Sequence, residues 1–120
     1  MPEKRAMPAF DKSPAELVER FSAVIDARPE VTVRKMFGYP AAFVNGNMTT
    51  GLFGSNWFVR LSEADAAELA GQGGGPFEPM PGRPMRGYTL LPSALADDPE
   101  TAGAWVDRAI RHVGSLPPKR

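Results

Sequence analysis

The chain has 120 residues, the length of one ordinary domain, and its 42% hydrophobic content suffices for a core without covalent staples. It holds no cysteine, which excludes disulfides, thiolate metal sites and thiol nucleophiles together and fits a reducing compartment. Fourteen basic residues balance fourteen acidic ones, so nothing indicates nucleic-acid binding by bulk charge.

The charges of Met1–Pro8 have no apolar run behind them, so they do not read as a signal peptide. No stretch approaches the roughly 18 uninterrupted apolar residues of a membrane span. The expectation is a soluble, cytoplasmic protein with no membrane partner. The charge balance is uneven along the chain. From Val31 to Leu61 three basic residues (Arg34, Lys35, Arg60) stand without an acid, and from Pro79 to Ala96 Arg83 and Arg86 do the same.

Taken in chain order, residues 1–12 are polar and proline-punctuated and predict a loose tail. Ser13-Pro14-Ala15-Glu16 combines a capping serine, a proline suited to the first helical position and a capping-box glutamate. Leu17, Val18, Phe21, Val24 and Ile25 follow at helical spacing, which predicts a first helix over 14–27, ended by Pro29. Val31–Met36 is β-branched and partly alternating. Ala41–Val44 runs into Asn45-Gly46, the dipeptide that best tolerates a type I′ turn, with Asn47–Phe53 returning. Gly54-Ser55-Asn56 makes a second turn and Trp57–Leu61 the next strand.

Ser62 caps a short helix over Glu63–Ala70. The run Gly71–Pro76 predicts a flexible loop. The prolines at 76, 79, 81 and 84 make Phe77–Pro84 an extended strap across the sheet edge, at most an edge strand, with Phe77 and Met80 packing inward. Arg86–Leu91 predicts a last strand. Asp98-Pro99 opens a final helix whose apolar stripe is Ala102, Trp105, Val106, Ala109, Ile110 and Val113. Residues 115–120 predict a second loose tail. The order α-β-β-β-β-α-β-α gives a single α+β domain over 1–120, a two-layer antiparallel sheet of about five strands with helices on one face.

Several separated motifs in order carry a resemblance: Arg34-Lys35-Met36-Phe37-Gly38, Phe43-Val44-Asn45-Gly46-Asn47-Met48, Val59-Arg60-Leu61, Pro76–Met85, and the late Trp105-Val106 helix with its Leu116-Pro117-Pro118-Lys119 ending. From about residue 14 onward the chain resembles the TfoX N-terminal domain family. The resemblance implies a two-layer α+β fold, self-association and no established catalytic residues. Two departures stand out. Tyr39-Pro40 follows Met-Phe-Gly where the family commonly has another glycine, which is expected to restrict a turn. The C-terminal helical domain of full-length competence regulators has no counterpart here, so a role in competence does not transfer.

The chemistry of an enzyme is hard to find. His112 is the one histidine, no Gly-x-Ser-x-Gly elbow exists, and His112 reads as a boundary residue beside Trp105. The glycine run lacks the Lys-Ser/Thr ending of a phosphate loop, and Pro76 stands where a helix should begin. Asp97, Asp98 and Glu100 are explained by helix capping and the helix dipole rather than by a metal. No cofactor, metal or catalytic residue is predicted, and the chain reads as a non-enzyme.

The sharpest candidate surface follows from strand alternation. If Val31, Val33, Trp57, Val59 and Leu61 face the helices, then Arg34, Phe58 and Arg60 face away, and Arg86 and Tyr88 of the last strand join them. Guanidinium groups interleaved with aromatic rings suit an anion, a nucleobase-bearing ligand or an acidic protein patch. The first functional reading is a regulatory interaction module whose exposed sheet face mediates homodimerisation, burying Phe58 or Tyr88, or docks a protein partner. The second is a binder of a small anionic ligand or nucleic acid through Arg34, Arg60 and Arg86.

Overall fold

The computed structural model describes residues 14–36, 38–79 and 82–117. Helix α1 (Ala15–Asp26) buries Leu17, Phe21, Val24 and Ile25, the stripe that the spacing predicts. The Pro14 carbonyl accepts the Val18 N–H at 3.0 Å. The predicted cap, Ser13, lies outside the described residues, as does the expected tail over 1–12.

Among the described residues six strands form one antiparallel sheet: β1 (Thr32–Met36), β2 (Tyr39–Val44), β3 (Asn47–Phe53), β4 (Asn56–Arg60), β5 (Gly75–Pro76) and β6 (Tyr88–Leu91), in the order β1-β2-β3-β4-β6-β5. The β2–β3 turn has φ of +53° at Asn45 and +82° at Gly46, the two positive values that a type I′ turn requires. Tyr39 and Pro40, where the family commonly has another glycine, stand in β2, opposite Met36 and Lys35. Between Ala42–Thr50 and Phe43–Met48 the register shifts, leaving Thr49 as the extra residue of a bulge.

Helix α2 (Glu63–Gly71) is capped as expected, with Ser62 Oγ accepting the Asp65 N–H at 3.2 Å. A short helix, α3 (Ser93–Ala96), precedes α4 (Pro99–Gly114). Asp98 opens α4, accepting from the Glu100 N–H at 3.3 Å and the Thr101 hydroxyl at 2.7 Å. Residues 115–117, expected to fray, are held: Leu116 N–H donates to Val113 O at 3.0 Å, and Asn47 Nδ2 donates to Pro117 O at 3.0 Å.

The main core lies between α1, α4 and one sheet face. Phe21, Trp105, Val106 and Ala109 meet Leu52, Trp57, Val59, Leu61 and Leu91 there. Phe21 packs edge-on against Trp57 with centroids 5.3 Å apart. Trp57 is fully buried, so its indole N–H needs a partner; it donates to Thr50 Oγ1 at 2.9 Å, and that hydroxyl donates to Phe58 O at 2.7 Å. Arg28, just past α1, fastens the two long helices together. Its Nε and Nη2 meet the Asp107 carboxylate at 2.7 and 3.1 Å, while Nη1 reaches Val24 O at 2.7 Å.

One inward expectation needs correction. Register places Val33 on the helical side, opposite Ala42, yet Val33 is 51% exposed. Helix α4 packs over β2, β3 and β4 and stops short of the edge strand.

Candidate functional site

The sheet face away from the helices is not open. Directly opposed residues of an antiparallel pair share a face, so Arg34, Ala41, Gly51, Phe58 and Leu90 form one row across it. Residues 75–87 cross back over this row. Strand β5 pairs with β6 at the sheet edge, Phe77 N–H donates to Tyr88 O at 3.4 Å, and Met85 N–H donates to Phe77 O at 2.8 Å. The strap delivers Phe77 onto Phe58, with ring centroids 4.3 Å apart and planes 11° from parallel.

Phe53 meets Phe77 edge-on at 5.6 Å, Tyr88 meets Phe58 edge-on at 5.6 Å, and Tyr39 leans on Phe53 at 5.1 Å. Met36, Met48 and Met85 fill in around Phe53, Phe58 and Phe77. This is a second apolar core. Phe77 packs inward as the strap reading predicts, while Met80 lies outside the described residues.

The predicted contact surface changes accordingly. Phe58 does face away from the helices, but it is only 3% exposed, so no partner can use it without lifting the strap. Tyr88 is half-buried, and its hydroxyl donates to Met48 O at 2.9 Å. Burial pushes its phenol above the ordinary range, and the neighbouring Arg60 opposes that shift.

The arginines occupy separate seats. The Arg34 guanidinium lies 4.8 Å from the Phe43 ring centroid and that of Arg60 lies 5.7 Å from the Tyr88 centroid. Phe43 and Tyr88 stand on strands three spacings apart, about 14 Å. Arg86 joins neither. It sits in the turn closed by Tyr88 N–H donating to Met85 O at 3.2 Å, ahead of the strand predicted to contain it, and points into solvent. Among the described residues the ion pairs belong to Arg20, Arg28 and Arg108; Arg34, Arg60 and Arg86 have no carboxylate partner there.

What remains open is an edge. Among the described residues strand β1 pairs with β2 on one side only, and all five of its residues are exposed. Val33 and Met36 are the large apolar side chains left in solvent there, at 51% and 36%. An unpaired edge presents a row of free N–H and C=O groups, which natural sheets usually blunt by bulges, prolines, cover or charged side chains. Thr32–Met36 holds no bulge or proline, and its guard is the pair of charges Arg34 and Lys35. Sequence reasoning singled out Arg34 on this strand but not the strand's edge position.

The remaining features offer little chemistry. A cleft of about 390 Å³ opens beside Trp57, Gly73, Leu91 and Ser93. Its one ionisable lining residue, Asp97, lies 3.6 Å from Arg20. His112 is half-buried on α4, and the side chain over the Trp105 ring is Arg108, 4.3 Å from its centroid. Among the described residues no three His, Cys, Asp or Glu side chains come together as a metal site, and no helix is long and apolar enough to cross a membrane.

The fold is therefore an α+β domain whose sheet is covered by helices on one face and by a proline-rich strap on the other, with a basic strand at its open edge. The TfoX N-terminal domain model matches residues 23–113, and the chain belongs to that family. No curated protein matches it.

Proposed function

We propose that this protein is a non-enzymatic interaction module that docks a protein strand along β1. One observation supports the reading: among the described residues β1 is hydrogen-bonded on one side only, and it is exposed along its whole length. An extended segment added to such an edge gains main-chain hydrogen bonds from the ladder and specificity from alternate side chains. Either a second copy of the chain or a different protein can supply that segment. The role moves from the sheet face, which Phe77 already covers, to the sheet edge.

Amide hydrogen exchange tests it. Sequences selected from a displayed random-peptide library are expected to slow exchange at Thr32–Met36, and a self-associating chain does the same as its concentration rises. Binders that leave those amides unprotected, in a protein that also stays monomeric, would end the reading.

A second reading retains a specific observation of its own: guanidinium groups seated on Phe43 and Tyr88 that have no carboxylate partner among the described residues. On that reading, a small polyanion or a nucleic acid binds at Arg34 and Arg60. It raises the melting temperature, and the rise fades with salt as the charges are screened. An Arg60→Ala variant that keeps the full response would dispose of it.

A further inference from the structure

We infer that the occupant of β1 is an extended acidic segment of a different protein, carrying two adjacent acids flanked by apolar residues, rather than a second copy of this chain. The inference rests on the docking reading above and names the partner class.

Alternation within β1 divides its side chains. Thr32, Arg34 and Met36 share the face that holds Phe43, while Val33 and Lys35 project to the helical side. The two cations therefore point to opposite faces from adjacent positions, and an exposed apolar residue flanks each end of the pair. A strand laid against this edge meets, in order, an apolar residue at Val33, a cation at Arg34, a cation at Lys35 and an apolar residue at Met36. Its complement is apolar–acid–acid–apolar. That pattern reads the same in both directions, so it fits a parallel or an antiparallel partner.

Charge argues against a second copy. Antiparallel pairing of β1 with itself keeps each face continuous, so a residue can oppose only residues of its own parity. Centring the pair on Arg34 sets arginine against arginine, and centring it on Lys35 sets lysine against lysine; like charges directly opposed are destabilising. Centring on Val33 avoids direct opposition but still gathers four cations in one short strip. No acid within β1 relieves it, and Glu30 lies before the strand in the turn closed by Val31 N–H donating to Arg28 O at 3.3 Å. An acidic partner reverses the sign of every one of these terms. The Arg34 guanidinium is seated 4.8 Å from the Phe43 ring centroid, and among the described residues no carboxylate pairs with it.

Three extended peptides that differ only in their cores, Val-Glu-Glu-Val, Val-Gln-Gln-Val and Val-Lys-Lys-Val, test the inference by NMR titration of the full chain with amide exchange as a second readout. The Glu peptide is expected to protect Thr32–Met36 and to bind about tenfold more tightly than the Gln peptide, roughly threefold per opposed pair. An R34E/K35E double variant is expected to prefer the Lys peptide, which also shows that the variant is folded. Equal binding of the Glu and Gln peptides, with β1 protected by both, overturns the acidic partner and leaves strand docking intact. Protection by none of the three overturns strand docking itself. A concentration-dependent dimer with protected β1 amides puts a second copy in the partner's place. An oligothymidylate that shifts the same amides as strongly as the Glu peptide makes the edge a general polyanion site. Either of these last two results overturns the inference.

Discussion

The ring of Phe77 lies flat on that of Phe58, 4.3 Å away and 11° from parallel, and the contact closes a sheet face that alternation alone marks as open. Both rings are 3% exposed. Phe77→Ala removes the ring that anchors the strap and leaves only the backbone bond from Met85 N–H to the carbonyl of residue 77. The expected cost is about 3–5 kcal/mol, the range for truncating a buried phenylalanine, read from urea unfolding. The variant is also expected to bind a hydrophobic dye that the parent does not. A loss below about 1 kcal/mol, well outside that range, would mean the strap contributes little to the second core.

Gly51 is the floor on which Phe58 rests. A Cβ built there would lie 2.7 Å from Phe58 Cζ and 3.1 Å from Ala41 Cβ. Ring and floor cannot part easily, because Phe77 holds Phe58 from above. Gly→Ala in an unstrained backbone ordinarily stabilises by about 0.4–1 kcal/mol. Here Gly51→Ala is expected to destabilise by about 1–3 kcal/mol through overpacking. Phe58→Leu in the same chain should recover part of the loss, so a double-mutant cycle without coupling would refute the account.

Thr50 is buried for its hydroxyl. It accepts from Trp57 Nε1 at 2.9 Å and donates to Phe58 O at 2.7 Å. Thr50→Val keeps the shape and adds apolar character, yet it strands a buried indole N–H and a carbonyl. An expected loss of about 1–3 kcal/mol follows from those unmade bonds. Thr50→Ser, which keeps the hydroxyl, is expected to lose less. Equal stability of the Val variant and the parent would show that water or another group replaces the relay.

These features differ in how far the sequence exposes them. Helices α1 and α4 are legible because spacing and end signals agree: Leu17, Phe21, Val24 and Ile25 on one, Asp98-Pro99 before the other. Asn45-Gly46 marks its hairpin for the same local reason. Arg86 misled because the turn signal beside it was passed over: Gly87, with φ of +89°, is the third residue of the 85–88 turn closed by Tyr88 N–H and Met85 O. Strand β5 is a bare Gly-Pro, a linker composition that pairs with β6 beside the anchored Phe77. Alternation correctly turned Phe58 away from the helices, but pleating says nothing about what lies above a face. A large aromatic set among prolines was the available hint. The edge position of β1 is likewise topological. It depends on β6 joining β4 rather than β1, a choice between distant segments.

Tyr88 links the second core to pH. Its hydroxyl donates to Met48 O at 2.9 Å, a role open only to the neutral phenol. Burial raises its pKa above the ordinary value, and Arg60, 5.7 Å from the ring, pulls it part of the way back. The native state therefore holds the phenolic proton more tightly than the unfolded chain, in which tyrosine ionises near pH 10. The resulting stability is fully present below about pH 10 and is lost as pH rises through the native pKa. Unfolding free energies measured from neutral to alkaline pH should fall more steeply in the parent than in Tyr88→Phe, which has no proton to lose. Tyr88→Phe should itself start lower by about 1 kcal/mol for the missing hydrogen bond. Arg60→Gln removes the group that eases ionisation, so it should push the titration higher and deepen the alkaline loss. If Tyr88→Phe shows the same alkaline slope as the parent, the phenol is not the group that titrates.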